Sequence, residues 1–214
     1  MQQSLLLGKL TSSQIKSLNN PKNFKRYNAL IKVQTKNKLM NLIDEFLPIL
    51  GNNANLNWIG TSDITDMSGL FTTYTGYKFN GDISLWDVSH VTDMSRMFYG
   101  TSFNGDISNW DVSNVANMET MFHKTTFNGD ISKWNVKNVK NMKYMFCGTE
   151  FTGDISKWNV RNVVDMSHMF ESSKFNGDIS KWNVSKVKNM DYMFAYTCFN
   201  GDISKWKVSN VFYM

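Results

Sequence analysis

The sequence predicts an α/β repeat solenoid preceded by a helical segment, and three observations carry the prediction. The stretch FNGDISLWDVSHVTDMSRMFYGTS, residues 79–102, returns from Phe103, Phe127, Phe151, Phe175 and Phe199, each time 24 residues on and without insertion. The apolar letters of the unit, F-x-x-x-I-x-x-W-x-V-x-x-V-x-x-M-x-x-M-F, recur in register through the array. Residues 1–56 show helical spacing and none of the repeat. A fixed period of this length is what stacked units produce when each buries its apolar face against its neighbours. The expected division is therefore a helical cap over 1–56 and an array over 57–214. The array comprises a degenerate turn at 57–78, five full repeats at 79–198 and a truncated one at 199–214.

The N-terminal segment is read from its capping and breaking residues. Thr11-Ser12-Ser13-Gln14 has the capping-box form, with Ile15 and Leu18 following at helical spacing before Asn19-Asn20-Pro21. Asn20-Pro21 suits an N-cap followed by proline at the first helical position, and Phe24, Tyr27, Leu30 and Ile31 continue the pattern. Leu39, Leu42, Ile43, Phe46 and Leu47 form a further apolar stripe that Pro48 and Gly51 should end. This segment carries eight Lys or Arg against two acidic residues, a net +6, so with +5 over the whole chain the remainder sums to −1. Its helices are read as a cap on the first turn, or as a basic arm that docks on an acidic partner, a membrane surface or nucleic acid.

Within the unit, Asn80-Gly81-Asp82 is turn chemistry, with glycine read as accepting positive φ. Ile83, Trp86 and Val88 have the L-x-x-L-x-L spacing of a leucine-rich repeat, which places one short strand at residues 84–88. Val91, Met94, Met97 and Phe98 suit a short α or 3₁₀ segment that returns the chain to the next turn. Trp58, Ile64, Met67, Leu70 and Phe71 repeat the second half of the unit, and residues 72–78 run three residues longer than their counterparts.

Stacking makes columns of like residues. Two methionine columns, beginning at Met94 and Met97, are core material rather than a copper(I) site. The tryptophan column from Trp86 to Trp206 is expected to pack, with an exposed aromatic strip as the alternative. Asp82, Asp106, Asp130, Asp154, Asp178 and Asp202 form a column of like charge that needs compensation. Backbone N–H groups in Asx turns would supply it, with nearby lysines assisting; calcium between turns is the alternative.

These residues, F-N-G-D-I-S-x-W-x-V-S-x-V-x-x-M-x-x-M-F, resemble the BspA-like surface-protein repeats, a relative of the leucine-rich repeats found in bacterial surface lipoproteins, protists and giant DNA viruses. The resemblance covers residues 57–214. It implies a right-handed LRR-like solenoid and a role in adhesion or protein interaction, and it supplies no catalytic residues.

The three histidines, His90, His123 and His168, fall in three different units, and no nucleophile–base or phosphate-loop pattern is present, so the expectation is a protein that is not an enzyme and has no cofactor or metal. Cys147 and Cys198 are expected to be free thiols, about two turns and roughly 10 Å apart at 4.8 Å per turn. No run is long enough to span a bilayer, and MQQSLLLGKL is too short in apolar residues for a secretory signal. The expected location is the cytoplasm or a viral particle, with a surface location only if a leader is missing.

The function expected is a protein-interaction scaffold, and the alternative is an assembly component joined through its C-terminal end. The interaction residues expected are Lys133, Lys157, Lys181, Lys205 and Lys207, which replace Leu85, Asp87, Asn109 and Asp111 of the early units, together with Phe212 and Tyr213. Partners are expected to be proteins or a second copy of the chain, not nucleic acid.

Overall fold

The computed structural model describes residues 12–17, 19–20, 31–72 and 78–214. Helix α1, Ser12–Ser17, is the short helix its capping residues predict. The side chain of Asn19 ties it to the end of the next helix, donating to Leu50 O at 3.0 Å and accepting from Asn55 N at 2.9 Å. The helix expected from Phe24, Tyr27 and Leu30 lies outside the described residues. Ile31, assigned to the same helix, belongs instead to strand β1, Ile31–Lys32. It pairs in parallel with strand β2, Ile59–Gly60, in the register Ile31 to Ile59 and Lys32 to Gly60.

Helix α2, Lys36–Leu50, begins at Thr35, whose hydroxyl accepts from Lys38 N at 3.3 Å. Its apolar stripe of Leu39, Leu42, Ile43, Phe46, Leu47 and Leu50 is buried. Pro48 was expected to end it, yet the helix runs two residues further, to Leu50. In the last turn a proline withholds only its own N–H, and termination falls to Gly51, at φ 84°, whose N–H bonds Leu47 O at 2.8 Å. The stripe joins one continuous apolar core that runs from Val33 to Trp206.

From residue 55 onward the 24-residue units lie one on another in parallel. Single bridges link Asp66 to Asp93, Asn117, Asn141, Asp165, Asn189 and Tyr213 in succession, all at the fifteenth position of the unit. The expected strand over residues 84–88 is absent; those residues form turns and irregular backbone. The short α or 3₁₀ return segment is also replaced, by consecutive turns over residues 95–100 and their equivalents.

The reason lies in the backbone. Residues at the eighteenth position are left-handed (Arg96 φ 57°, Thr120 61°, Tyr144 56°, His168 57°, Tyr192 53°), and so are Lys124, Ser172 and Tyr196 at the twenty-second. A left-handed residue at every fourth position prevents helical hydrogen bonding along the chain and turns alternate peptide groups toward the neighbouring unit. The N–H groups of Met118, Thr120, Phe122 and Lys124 donate to Asn141, Lys143, Met145 and Cys147 of the next unit at 2.8–3.1 Å, and the same four bonds recur in the units around them.

Side chains reinforce the register. From Trp110 to Trp206 each indole N–H donates to the isoleucine carbonyl of the preceding unit, as from Trp134 to Ile107 at 3.1 Å and from Trp158 to Ile131 at 3.1 Å, while Trp86 donates to Leu56 O at 3.0 Å. The tryptophans are thus packing residues, 3–5% exposed from Trp86 to Trp182. The methionines of both columns from Met94 to Met169 are fully buried, as core material should be. Phenylalanines of the twentieth and first positions interleave: Phe98 stacks on Phe103 at 3.9 Å between centroids and on Phe122 at 5.7 Å. The glycine of the Asn-Gly-Asp turn is needed for space and not for positive φ. A Cβ on Gly129 would lie 2.9 Å from the Phe127 ring, and none of these turn glycines is left-handed.

Candidate interaction surface

The side chains that alternate with the buried ones decide what the stack can present. The Asp column is compensated as an Asx-turn series, with each Oδ1 accepting from the serine N–H two residues on, for example Asp130 from Ser132 and Asp154 from Ser156 at 2.9 Å. Asp130 is held below the ordinary carboxylate value first by the Ser132 N–H and hydroxyl, with Lys133 contributing least. Two further Asx series, which sequence reasoning missed, occupy the ninth and fifteenth positions, as in Asp111 with Ser113 at 3.0 Å and Asn141 with Lys143 at 3.0 Å. At the fifteenth position neighbouring units also bond side chain to side chain, Asn117 Nδ2 donating to Asp93 Oδ2 at 3.1 Å.

The predicted lysines stand on the outside of this framework. Lys133, Lys157, Lys181 and Lys205 occupy the seventh position of four successive units, all exposed and none of them in an ion pair among the described residues. Lys207 is exposed at the ninth position of the last unit. Phe212 and Tyr213 are 76% and 65% exposed. Their backbone continues the ladder, with Phe212 N on Lys188 O and Tyr213 O accepting from Met190 N, so they do not fold back as a cap. Beside them, a cavity of about 530 Å³ is lined by Met193, Phe194, Ile203, Trp206, Val208 and Met214. Four of the five predicted lysines thus share the seventh-position column, while Lys207 and the two aromatics stand at other positions of the last unit.

A second strip was not anticipated. On the ladder side, the rings of Tyr99, His123, Tyr144, His168 and Tyr192 form an unbroken surface column, with successive centroids 5.2, 5.5, 4.2 and 5.1 Å apart. Burial, then Lys124, lowers the His123 imidazole to about 4, which keeps the ring neutral at physiological pH. His168 Nδ1 lies 2.8 Å from Glu171 Oε2, and Cys147 Sγ lies 3.8 Å from the same oxygen. Burial and then the Glu171 charge push the Cys147 thiol up to about 11, so it is a protonated, unreactive group. Cys147 and Cys198 are both free. Arg96, Glu119 and Lys143 flank the ring column around a groove of about 310 Å³. The sequence signal for this strip is an aromatic residue or histidine at either the eighteenth or the twenty-first position of five successive units, and no single column shows it.

Fixed residues that build a stack, with variable residues displayed outward, define a repeat protein. The chain belongs to the family described as Mycoplasma protein of unknown function, DUF285, whose model matches residues 40–152 and 124–214. The match begins inside α2, earlier than the repeat boundary read from the sequence. No curated protein and no solved structure matches the chain. Among the described residues, no helix is long and apolar enough to cross a membrane.

Proposed function

We propose that this protein is a non-enzymatic scaffold that binds protein partners through side chains displayed on an LRR-like solenoid of the BspA-like kind, capped by its N-terminal helices. The observation that supports this is the division of labour within the unit. Positions that repeat are buried or bonded to the framework, whereas the seventh position changes from Leu85 to Asn109 to lysine and is exposed in every unit. On this reading the protein needs no cofactor and works in the cytoplasm or in a viral particle. The test is affinity capture from the native source with three baits: wild type, Lys157→Glu/Lys181→Glu on the lysine side, and Arg96→Glu/Lys143→Glu on the ladder side. The reading expects one variant to lose a protein that the other retains. Identical capture by all three baits sinks it.

A second reading, an assembly component, is favoured by the exposed Phe212, Tyr213 and Met214 beside the apolar cavity of the last unit. It expects self-association through residues 199–214, which Phe212→Ser/Tyr213→Ser should release. Light scattering that finds the wild-type chain monomeric at high concentration excludes the self-association.

A further inference from the structure

The lysine side carries more than the seventh-position column. In the four units from residue 127 to the end of the sequence, positions five to fourteen hold ten Lys or Arg and no Asp or Glu. The charge therefore runs through ten consecutive positions of each of these units and recurs from unit to unit. The acidic groups nearest to them are the fourth-position carboxylates of Asp130, Asp154, Asp178 and Asp202, each already accepting the N–H of a serine, Asp165 at the fifteenth position, which accepts from Ser167, and Asp111 of the preceding unit, which accepts from Ser113 and interacts with Lys137. The fourteenth-position column reads Lys140, Val164, Lys188, Phe212, so that cations alternate with apolar side chains. Val164 is 37% exposed and Phe212 76%.

We propose that this side binds the surface of an anionic lipid bilayer, an inference that goes beyond the scaffold reading because it needs no protein partner. A spread of cations engages many headgroups at once, and each lysine or arginine near an anionic leaflet adds to the attraction. The interleaved Val164 and Phe212 fit the boundary between headgroups and acyl chains, where apolar and aromatic groups complement a basic face. A dissolved polyanion such as a nucleic acid strand has no apolar layer to receive them, and this side offers no aromatic column for base stacking.

The experiment uses the purified 214-residue chain in cosedimentation with phosphatidylcholine vesicles, with and without phosphatidylserine. Binding to the anionic vesicles alone is expected, weakening as salt rises. Lys140→Gln/Lys157→Gln/Lys181→Gln/Lys188→Gln should lower partitioning by more than about tenfold. A ladder-side variant of equal charge change, Arg96→Gln/Lys124→Gln/Lys143→Gln/Lys174→Gln, should lower it far less, and Phe212→Ser should weaken binding with no change of charge. Circular dichroism confirms that each variant is folded. The proposal is overturned if anionic vesicles fail to bind wild type at low salt, if the two quadruple variants lose binding equally, if Phe212→Ser has no effect, or if a single-stranded oligonucleotide or polyglutamate of equal charge is held more tightly than the vesicles. Capture of protein partners is unaffected by that failure, so the two readings fail separately.

Discussion

At the scale of single residues, the tryptophan column contains its own control. Trp134 donates to Ile107 O, whereas the equally buried Trp58 has no acceptor for Nε1 among the described residues. Replacing either by phenylalanine removes similar ring area, but only at Trp134 is a hydrogen bond lost, Ile107 O keeping Trp110 N as its other donor. Urea unfolding should show Trp134→Phe costing about 1 kcal/mol more than Trp58→Phe; equal losses would mean that the indole bond contributes nothing. The left-handed positions give a second test. Lys124, at φ 55°, occupies the position that Gly100 and Gly148 fill in other units. Lys124→Gly should stabilise by up to about 1 kcal/mol while Gly148→Ala destabilises by a similar amount, as midpoints of chemical denaturation would show. His123 adds a pH dependence. Its folded-state value of about 4 lies below the ordinary 6.5, so the unfolded chain binds the proton more readily. The stability that this ring contributes is complete above pH 6.5 and is lost as pH falls toward 4. The melting temperature of His123→Phe, which keeps a stacked ring, should fall less than that of wild type across that window, and parallel curves would count against the effect.

At the scale of elements, the periodicity of 24 residues and the identity of the large buried apolar letters were legible in the sequence because burial selects residue type, whereas the buried hydroxyls of Thr101, Thr125 and Thr149, at the twenty-third position, were not. The ladder that links the units was not legible. It runs through peptide groups at positions sixteen to twenty-two, and the left-handed residues that aim them are Arg96, Thr120, Tyr144, His168 and Tyr192, none of which announces that conformation as glycine would. The leucine-rich spacing of Ile83, Trp86 and Val88 reflects burial on successive turns, which a strand and a turn series satisfy equally well. Of the candidate surface, the lysine column could be read because it is one position repeated, whereas the ring strip changes column between His123 and Tyr144. Helix α2 was read correctly from its stripe, and its start rests on one side chain. Thr35→Ala should cost about 1 kcal/mol, measurable as a shifted urea midpoint; an unchanged midpoint would show that packing of the stripe alone fixes the helix.

At the scale of the whole molecule, a core continuous from α2 to the last tryptophan predicts one body. Small-angle scattering should fit a single elongated particle with about seven turns, on the order of 35 Å along the stack, and two separate globules would contradict it. Removing residues 1–56 would take Phe46 away from Trp58, which is fully buried in the intact chain and meets that ring at 5.2 Å. The truncated protein should aggregate or melt earlier; unchanged solubility and melting temperature would make the segment an appendage. The peptide columns have a further consequence. At the sixteenth to twenty-second positions every linking N–H points toward the C-terminal unit and every linking carbonyl toward the N-terminal one, while the fourteenth-position bonds and a few others, such as Asp82 N to Ala54 O and Lys174 N to Thr149 O, run the other way. Peptide dipoles aligned in this way add, as they do along a helix, so the stack behaves as a small electret, positive at the face beside Phe212 and negative at the face beside α2. Two copies meeting through the same face would oppose like poles. Contact between unlike faces would align the dipoles instead, and a head-to-tail association of that kind grows as an open filament unless its rotation closes a ring.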